Sequence, residues 1–279
     1  EIKNYLKLLL KKNDSVLQSL KDDYKNNYNQ KKIEKLKKIK NFRLIGMGGS
    51  SLGAKAIYFF LKKKIKKNFL FFDNLDASTK NDKNKNTLNI IISKSGETIE
   101  TITNLNILIN RFDKNIFVTE NNQNYLFQLA HRLRAEVVHH NNFIGGRYSV
   151  LSETGMLPAE LMGLNPKKFR QLNNIIKNKK YLNALISNVN SILFFVKKKK
   201  YNSIILNYDK NSEELFCWYQ QLVAESLGKS GKGILPIISN MPKDNHSVMQ
   251  LYLDGFSNNF FTFFYVKEPS SLKMKNNDI

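Results

Sequence analysis

The sequence predicts an α/β protein in which parallel sheets are covered by helices, and three observations carry that expectation. Short apolar runs recur at intervals long enough to hold a helix between them. Two of these runs end in glycine- or hydroxyl-rich loops that lead straight into helical patterns. The chain, at 279 residues, is long for one domain of roughly 150 residues and comfortable for two. Strands buried on both faces read as unbroken apolar runs rather than alternating ones, which is the pattern of a parallel sheet between helical layers.

Residues 1–40 are rich in Lys and Asn, with Leu6 and Leu9, then Val16, Leu17 and Leu20, at amphipathic spacing; they read as a helical lead-in. Strand-like runs follow at Phe42–Ile45, Phe69–Phe72, Leu88–Ile92, Ile116–Val118 and Ala135–Val138. A first α/β domain is therefore expected over residues 41–165. The pattern restarts in 166–279 with a strand at Ser203–Asn207, a long helix at Glu213–Leu227, and runs at Ile234–Ile238 and Phe260–Val266. This second unit holds fewer strand candidates than the first. The chain also opens on Glu1 rather than Met and stops soon after a strand-like run, so it reads as part of something longer.

Composition narrows the function classes. Hydrophobic residues make up 42% and aromatics 11%, which excludes a disordered chain. The balance of 45 basic and 23 acidic residues gives +22, so an anionic partner has to be considered. Nucleic acid is the obvious one, yet the excess Lys is scattered in runs such as Lys62–Lys67 and Lys197–Lys200, without interleaved Arg and aromatics or a recognisable nucleic-acid module. That scatter reads as compositional bias, and no nucleic-acid partner is expected. Cys217 is the lone cysteine, which rules out an intrachain disulfide or a CxxC site and fits a reducing cytoplasm. No apolar stretch reaches the 18 or more residues of a spanning helix, so no membrane partner is expected either.

Two loops carry chemistry. Gly46-Met47-Gly48-Gly49-Ser50-Ser51-Leu52-Gly53 follows the first strand and opens a helix over Ala54–Leu61, placing unhindered amides at a helix N-terminus, where anions are favoured. Gly46 and Gly48 match the first two glycines of the dinucleotide fingerprint, but Ser51 occupies the third place and Asp73 is a loose fit for the ribose acid. A tight turn with a Ser cap is the simpler alternative. The second loop, Ser93-Lys94-Ser95-Gly96-Glu97-Thr98, precedes a helix with Ile99, Ile102, Leu105 and Ile109 on its expected apolar face. A cap needs one hydroxyl, whereas three hydroxyls and an ammonium suit the acceptor oxygens of a phosphate monoester. Glu97 would repel that phosphate unless its side chain turns outward.

The pair of loops resembles the sugar isomerase (SIS) domain, which binds phosphosugars. Three further segments, Gly145-Gly146-Arg147-Tyr148-Ser149, Gln221 to Lys229 with Glu225, and Asn245-His246 with Gln250 and Gly255, occur in the order found in the glucose-6-phosphate isomerase family. The resemblance spans residues 46–255. It implies two SIS-type, doubly wound parallel-sheet domains, the second incomplete, and an enzyme interconverting glucose 6-phosphate and fructose 6-phosphate through an enediol. It implies no metal and no organic cofactor. A phosphosugar-binding regulator, or another SIS-domain enzyme, is the alternative; it would need neither Glu225 nor Arg147.

By the same resemblance, Ser93, Lys94, Ser95 and Thr98 would hold the phosphate, with Gly49 and Ser50 lining the sugar pocket and Gly146 beside Arg147. Glu225 would be the base that moves the proton between C2 and C1, its basicity raised by partial burial beside Leu215, Tyr219 and Leu222. Spacing alone favours a surface ion pair with Lys229 instead. Arg147 would stabilise the enediolate, and His246 would shuttle the ring-opening proton. The family supplies that histidine across a dimer interface, so a homodimer is expected. His131, His139 and His140 lack a convincing ligand set and read as structural. The family's C-terminal glutamine and lysine have no counterpart after His246; Lys273 and Lys275 lie in a polar tail and are not nominated.

Overall fold

The computed structural model describes residues 1–11, 15–80, 86–110, 112–120 and 123–267; Lys273 and Lys275 lie outside them. Helices α1 (Ile2–Lys11), α2 (Ser15–Gln18) and α3 (Gln30–Leu36) lead into β1 (Asn41–Ile45), α4 (Leu52–Phe60), β2 (Asn68–Phe72), β3 (Thr87–Ile92), α5 (Ile99–Leu108), β4 (Lys114–Thr119), α6 (Tyr125–Arg132), β5 (Glu136–His139) and α7 (Glu153–Leu161). Then follow α8 (Leu172–Ile175), α9 (Lys179–Lys197), β6 (Asn202–Asn207), α10 (Glu213–Leu227), β7 (Leu235–Asn240), α11 (Met249–Asp254) and β8 (Asn259–Phe264). Every expected strand is present within a residue or two of its apolar run, and α10 spans the expected residues.

The first five strands form one parallel sheet in the order β2-β1-β3-β4-β5. Side chains alternate between its faces with the strand period of two. Phe42, Leu44, Leu88, Ile90, Ile92, Ile116 and Val118 join Ala54 and Ile57 of α4, Ile33 of α3 and Met156 and Leu157 of α7 in one core. Ile45, Ile91 and Phe117 point the other way, to Leu105 and Leu108 of α5 and Leu126 and Ala130 of α6. Each large apolar side chain buried here stabilises the fold by about 1.5–3 kcal/mol. Edge strand β2 is covered by aromatic packing, with Phe69 stacked on Phe42 at 4.6 Å between ring centroids. Arg43 is buried in the second face, where its Nη1 donates to the Leu108 carbonyl at 3.2 Å, the end of α5, where a cation is favoured.

The expected apolar face of α5 is corrected in part: Leu105 faces the sheet and Ile109 packs beside it, but Ile99 is 75% exposed, and Thr101, Asn104 and Leu108 share the buried face. Asn104 fixes that rotation by donating to the Asn74 carbonyl at 3.0 Å, tying the helix to the segment after β2.

The second sheet is also parallel, in the order β7-β6-β8. Its central strand is buried, with Ile204 and Leu206 packed on Met241 and, on α11, Met249 and Tyr252. On α9, Phe195 stacks on Phe260 at 5.0 Å, and on α10 Phe216 meets Phe264 edge-on at 4.9 Å. Helix α10 lies between this sheet and α4: Gln220 donates to the Pro236 carbonyl at 2.7 Å, and Lys55 of α4 pairs with Glu214 at 3.3 Å and Asp73 at 3.0 Å.

Candidate active site

The order β2-β1-β3 makes β1 and β3 neighbours whose following helices pack on opposite faces of the sheet. The loops leaving their C-terminal ends therefore diverge and open a crevice, the usual ligand position in such sheets. The two loops singled out in the sequence are these two.

After β1 the backbone is packed so closely that glycine is required. A Cβ on Gly49 would lie 2.3 Å from the carbonyl carbon of Gly146 and 2.9 Å from the Arg147 nitrogen, and one on Gly46 would lie 2.8 Å from the Ile92 carbonyl oxygen. Gly49 and Gly146 thus touch main chain to main chain, and Ser149 Oγ stitches them by reaching the carbonyls of Gly49 at 3.2 Å and Gly146 at 2.7 Å. Ser50 sits in the short 3-10 turn Gly48–Ser50 at this junction.

After β3, Ser93 Oγ lies 2.9 Å from Thr98 Oγ1 and accepts from the Gly96 amide at 3.2 Å, while Ser95 Oγ accepts from the Glu97 amide at 3.3 Å. Gly96 has φ +69°, and a Cβ there would fall 2.1 Å from Asn124, which caps α6 through the Phe127 amide. Thr98 stands at the N-cap of α5 but makes no side-chain cap bond, so the first amides of α5 keep their hydrogens for an acceptor. Glu97 is exposed, turned outward as the phosphate reading requires. Lys94 reaches sideways, donating to the Asn142 carbonyl at 2.6 Å and pairing with Glu120 at 3.4 Å.

Asn142 and Gly146 belong to one segment, residues 140–147, which contacts both loops and ends in Arg147. The guanidinium donates from Nε to Ser226 Oγ at 3.0 Å and from Nη1 to Glu225 Oε2 at 3.3 Å. It also stacks on the Tyr148 ring at 4.5 Å. Tyr148 Oη shares Ser226 Oγ at 2.9 Å, and Trp218 Nε1 donates to the Arg147 carbonyl at 3.3 Å. The Ser226 hydrogen bond, with help from Arg147, holds the Tyr148 phenol below its ordinary pKa despite the burial that opposes it. Tyr148 first, and Glu225 as well, push the Arg147 pKa further up, so the cation is permanent.

The expected seat of Glu225 beside the apolar face of α10 is corrected: its side chain is 47% exposed. The last turn of α10 projects past α4 into the crevice rather than into a core, because only Leu215, Trp218 and Leu222 of this helix face the apolar space beside α4. Its ion-pair partner is Arg147 rather than Lys229. Gln221, one turn earlier, donates to Glu225 Oε1 at 2.8 Å, and its Nε2 lies 3.0 Å from where a Gly48 Cβ would stand. The Gln221 Oε1 is buried without a hydrogen-bond partner. Spacing of four residues on one helix is the available sign that Gln221 and Glu225 act together. Ser226 and Tyr148, each lying in a quoted segment without a role, carry no such sign.

His246 is not brought to this cluster within one chain. Helix α10 runs antiparallel to β6 and β7, so Glu225 lies at the start of β7 and His246 beyond its end, about 20 Å of strand away. His246 is exposed on the turn Lys243–His246. Beside it, burial raises the Asp244 pKa, but hydrogen bonds from Ser239, the Asn240 amide and Ser247 outweigh it and hold the carboxyl below the usual range. Of the other histidines, His131 meets the Phe127 ring at a tilt, 4.5 Å between centroids, His139 is exposed and His140 is buried.

The sequence profile described as phosphoglucose isomerase matches residues 10–235. Glucose-6-phosphate isomerase of Methanocaldococcus jannaschii is 33% identical over 259 residues, covering 86% of this chain and 63% of that protein. The protein of the same name from Mycoplasma genitalium is 32% identical over 267 residues, covering 86% and 60%. This chain thus spans less than two thirds of the length of these relatives. Among solved structures, a hypothetical protein from Thermus thermophilus superposes with TM-score 0.73 at 22% identity, over 92% of this chain and 68% of its own. A glucose-6-phosphate isomerase from Chlamydia trachomatis does so with TM-score 0.60 at 19% identity, over 86% and 56%. Those structures bear on the fold, whereas the sequence profile, matching four fifths of the residues, bears on descent: the chain belongs to the phosphoglucose isomerase family.

Proposed function

We propose that this chain carries the substrate crevice and proton-transfer groups of an aldose–ketose isomerase that interconverts glucose 6-phosphate and fructose 6-phosphate, serving glycolysis and gluconeogenesis in the cytoplasm. The observation that carries the reading is the 3.3 Å contact of Arg147 with Glu225 at a point where Gly146 rests on Gly49, because it joins the end of α10 to the loops at the sheet's switch point. Ser93, Lys94, Ser95 and Thr98, with the amides of α5, bind the phosphate; Lys94 swings from Asn142 to do so. Gly49, Ser50 and Gly146 line the sugar.

With the phosphate fixed at one end, the carboxylate of Glu225 takes the C2 proton of the open-chain aldose while electrons shift to the carbonyl oxygen, giving a cis-enediolate. Arg147, already held by Ser226 and Tyr148, faces that developing charge and needs no reorganisation to stabilise it. Glu225 then returns the proton to C1, and the hydroxyl proton moves between O1 and O2, so the reaction balances without an oxidant or reductant. The seated sugar excludes water from the exposed carboxylate.

His246 fits ring opening, and its distance from Glu225 along β7 supports its delivery to the site of a second copy in a homodimer. The two sheets support a division into a lead-in over 1–40 and two SIS-like units over 41–165 and 166–279. A coupled assay of fructose 6-phosphate conversion by the full-length gene product tests the function; no turnover above background would refute it. Light scattering tests the homodimer, which an active monomer would exclude.

A further inference from the structure

A buried charged cluster beneath the 140–147 segment plays no part in the chemistry above. Glu153, in the first turn of α7, is 0% exposed. Its Oε1 accepts from the Asn27 amide at 3.1 Å and from Tyr24 Oη at 3.0 Å, and the same hydroxyl lies 3.1 Å from Oε2. Asn141 donates to Tyr24 Oη at 2.8 Å, and Arg170 stacks on the Tyr24 ring at 4.8 Å while donating to the Leu151 carbonyl at 3.0 Å. Burying a carboxyl group is costly, and burial pushes the Glu153 pKa up while these hydrogen bonds offset part of that cost.

What it faces is His140, the first residue after β5 and 2% exposed. Its Nε2 lies 3.1 Å from the Ile144 carbonyl, and since a carbonyl can only accept, Nε2 bears the hydrogen. Nδ1 then accepts from Thr154 Oγ1 at 3.4 Å and stands 3.9 Å from Glu153 Oε2. The imidazole therefore braces α7 against the root of the segment that carries Asn142, the acceptor for Lys94, and Arg147, the partner of Glu225.

We propose that His140, seated on Thr154, is a positioning residue: its Nε2–H holds the Ile144 carbonyl and so fixes the segment that presents Arg147 to the enediolate. The role in turnover rests on the isomerase reading; the hold on the segment does not. The other charged groups that His140 feels are Lys94, Glu120 and its neighbour His139. Burial lowers the His140 pKa, which favours the neutral ring in which Nδ1 accepts from Thr154.

The test uses full-length wild type, His140→Leu and His140→Gln, whose amide hydrogen can reach the same carbonyl. Hydrogen exchange at the amides of 142–147 should quicken about tenfold or more in His140→Leu, with α5 unchanged, and kcat should fall about tenfold while KM stays within about twofold. His140→Gln should return both to within about threefold of wild type. Should His140→Leu not fold, Thr154→Val, which removes only the hydroxyl bonded to Nδ1, carries the same exchange measurement. Unchanged exchange, unchanged kcat in a loosened segment, or equal damage from Leu and Gln would overturn the positioning role. An inactive wild type whose exchange responds as described would instead refute the isomerase reading and leave the brace standing.

Discussion

The two sheets are built from the same parallel strands and are buried very differently. In the first, β1, β3 and β4 are closed off on both faces by α3, α4 and α7 on one side and α5 and α6 on the other. In the second, only β6 is fully sheltered; Leu235 on β7 is 56% exposed, Phe263 on β8 is 68% exposed, and neither α9 nor α10 has a buried residue. This contrast locates the source of the candidate site's rigidity. The Ser93–Thr98 loop and Arg147 hang from the well-packed sheet, whereas Gln221, Glu225 and Ser226 ride on a helix whose placement depends on α4 and on Lys55.

Core truncation probes the contrast with the largest effect. Phe117→Ala, in the sealed core, should cost about 3–5 kcal/mol in urea unfolding. Phe263→Ala should stay within about 0.5 kcal/mol. Similar losses from the two would show that the halves are equally consolidated.

Next in size is the group through which the halves meet at the site. Arg147→Ala should raise the activation barrier of isomerisation by about 2.7–4 kcal/mol, read as kcat. An unaltered kcat would separate Arg147 from the chemistry.

A smaller effect isolates the dependence of α10 on α4. The Lys55 pKa is lowered by burial but raised more by Asp73 and Glu214, so its charge is held between two carboxylates of different elements. Lys55→Met should cost about 1–3 kcal/mol, between the values for exposed and buried pairs, and should speed hydrogen exchange in α10 more than in α5. Equal acceleration in both helices would contradict the dependence.

The smallest effect concerns pH. Burial depresses the His140 pKa below its ordinary value of 6.5 in the folded protein. The unfolded chain then binds the proton more readily, so this residue's contribution to stability is complete above the unfolded pKa and is lost as pH falls through it toward the folded value. Wild type should lose stability relative to His140→Leu on going from neutral to mildly acidic pH, by no more than about 1.4 kcal/mol per pH unit. A constant difference between the two proteins would remove the buried neutral imidazole from the account.

The strands were legible because a parallel sheet buried on both faces leaves continuous apolar runs, and both loops were legible because glycines and hydroxyls concentrate where β1 and β3 end. The face of α5 is legible at Leu105 but not at Ile99, because Asn104 offsets its burial with a hydrogen bond to Asn74, a partner thirty residues away. The exposure of Glu225 was hidden for a similar reason: periodicity shows which side of a helix is apolar, not that its last turn overhangs a crevice. Arg147, Tyr148 and Ser226 meet across 78 or 79 residues of sequence, and the bond from Thr154 to His140 joins an imidazole that reads as structural to a hydroxyl that no motif marks.

The proposed base, Glu225, is carried by α10 and meets Arg147 of the first sheet's loops, and the proposed chemistry stands on that arrangement. The decisive experiment is fructose 6-phosphate conversion by full-length wild type and Glu225→Gln, measured beside inorganic phosphate binding. A loss of about 10²–10⁴-fold in kcat with phosphate affinity unchanged is expected. Full turnover in Glu225→Gln would contradict it.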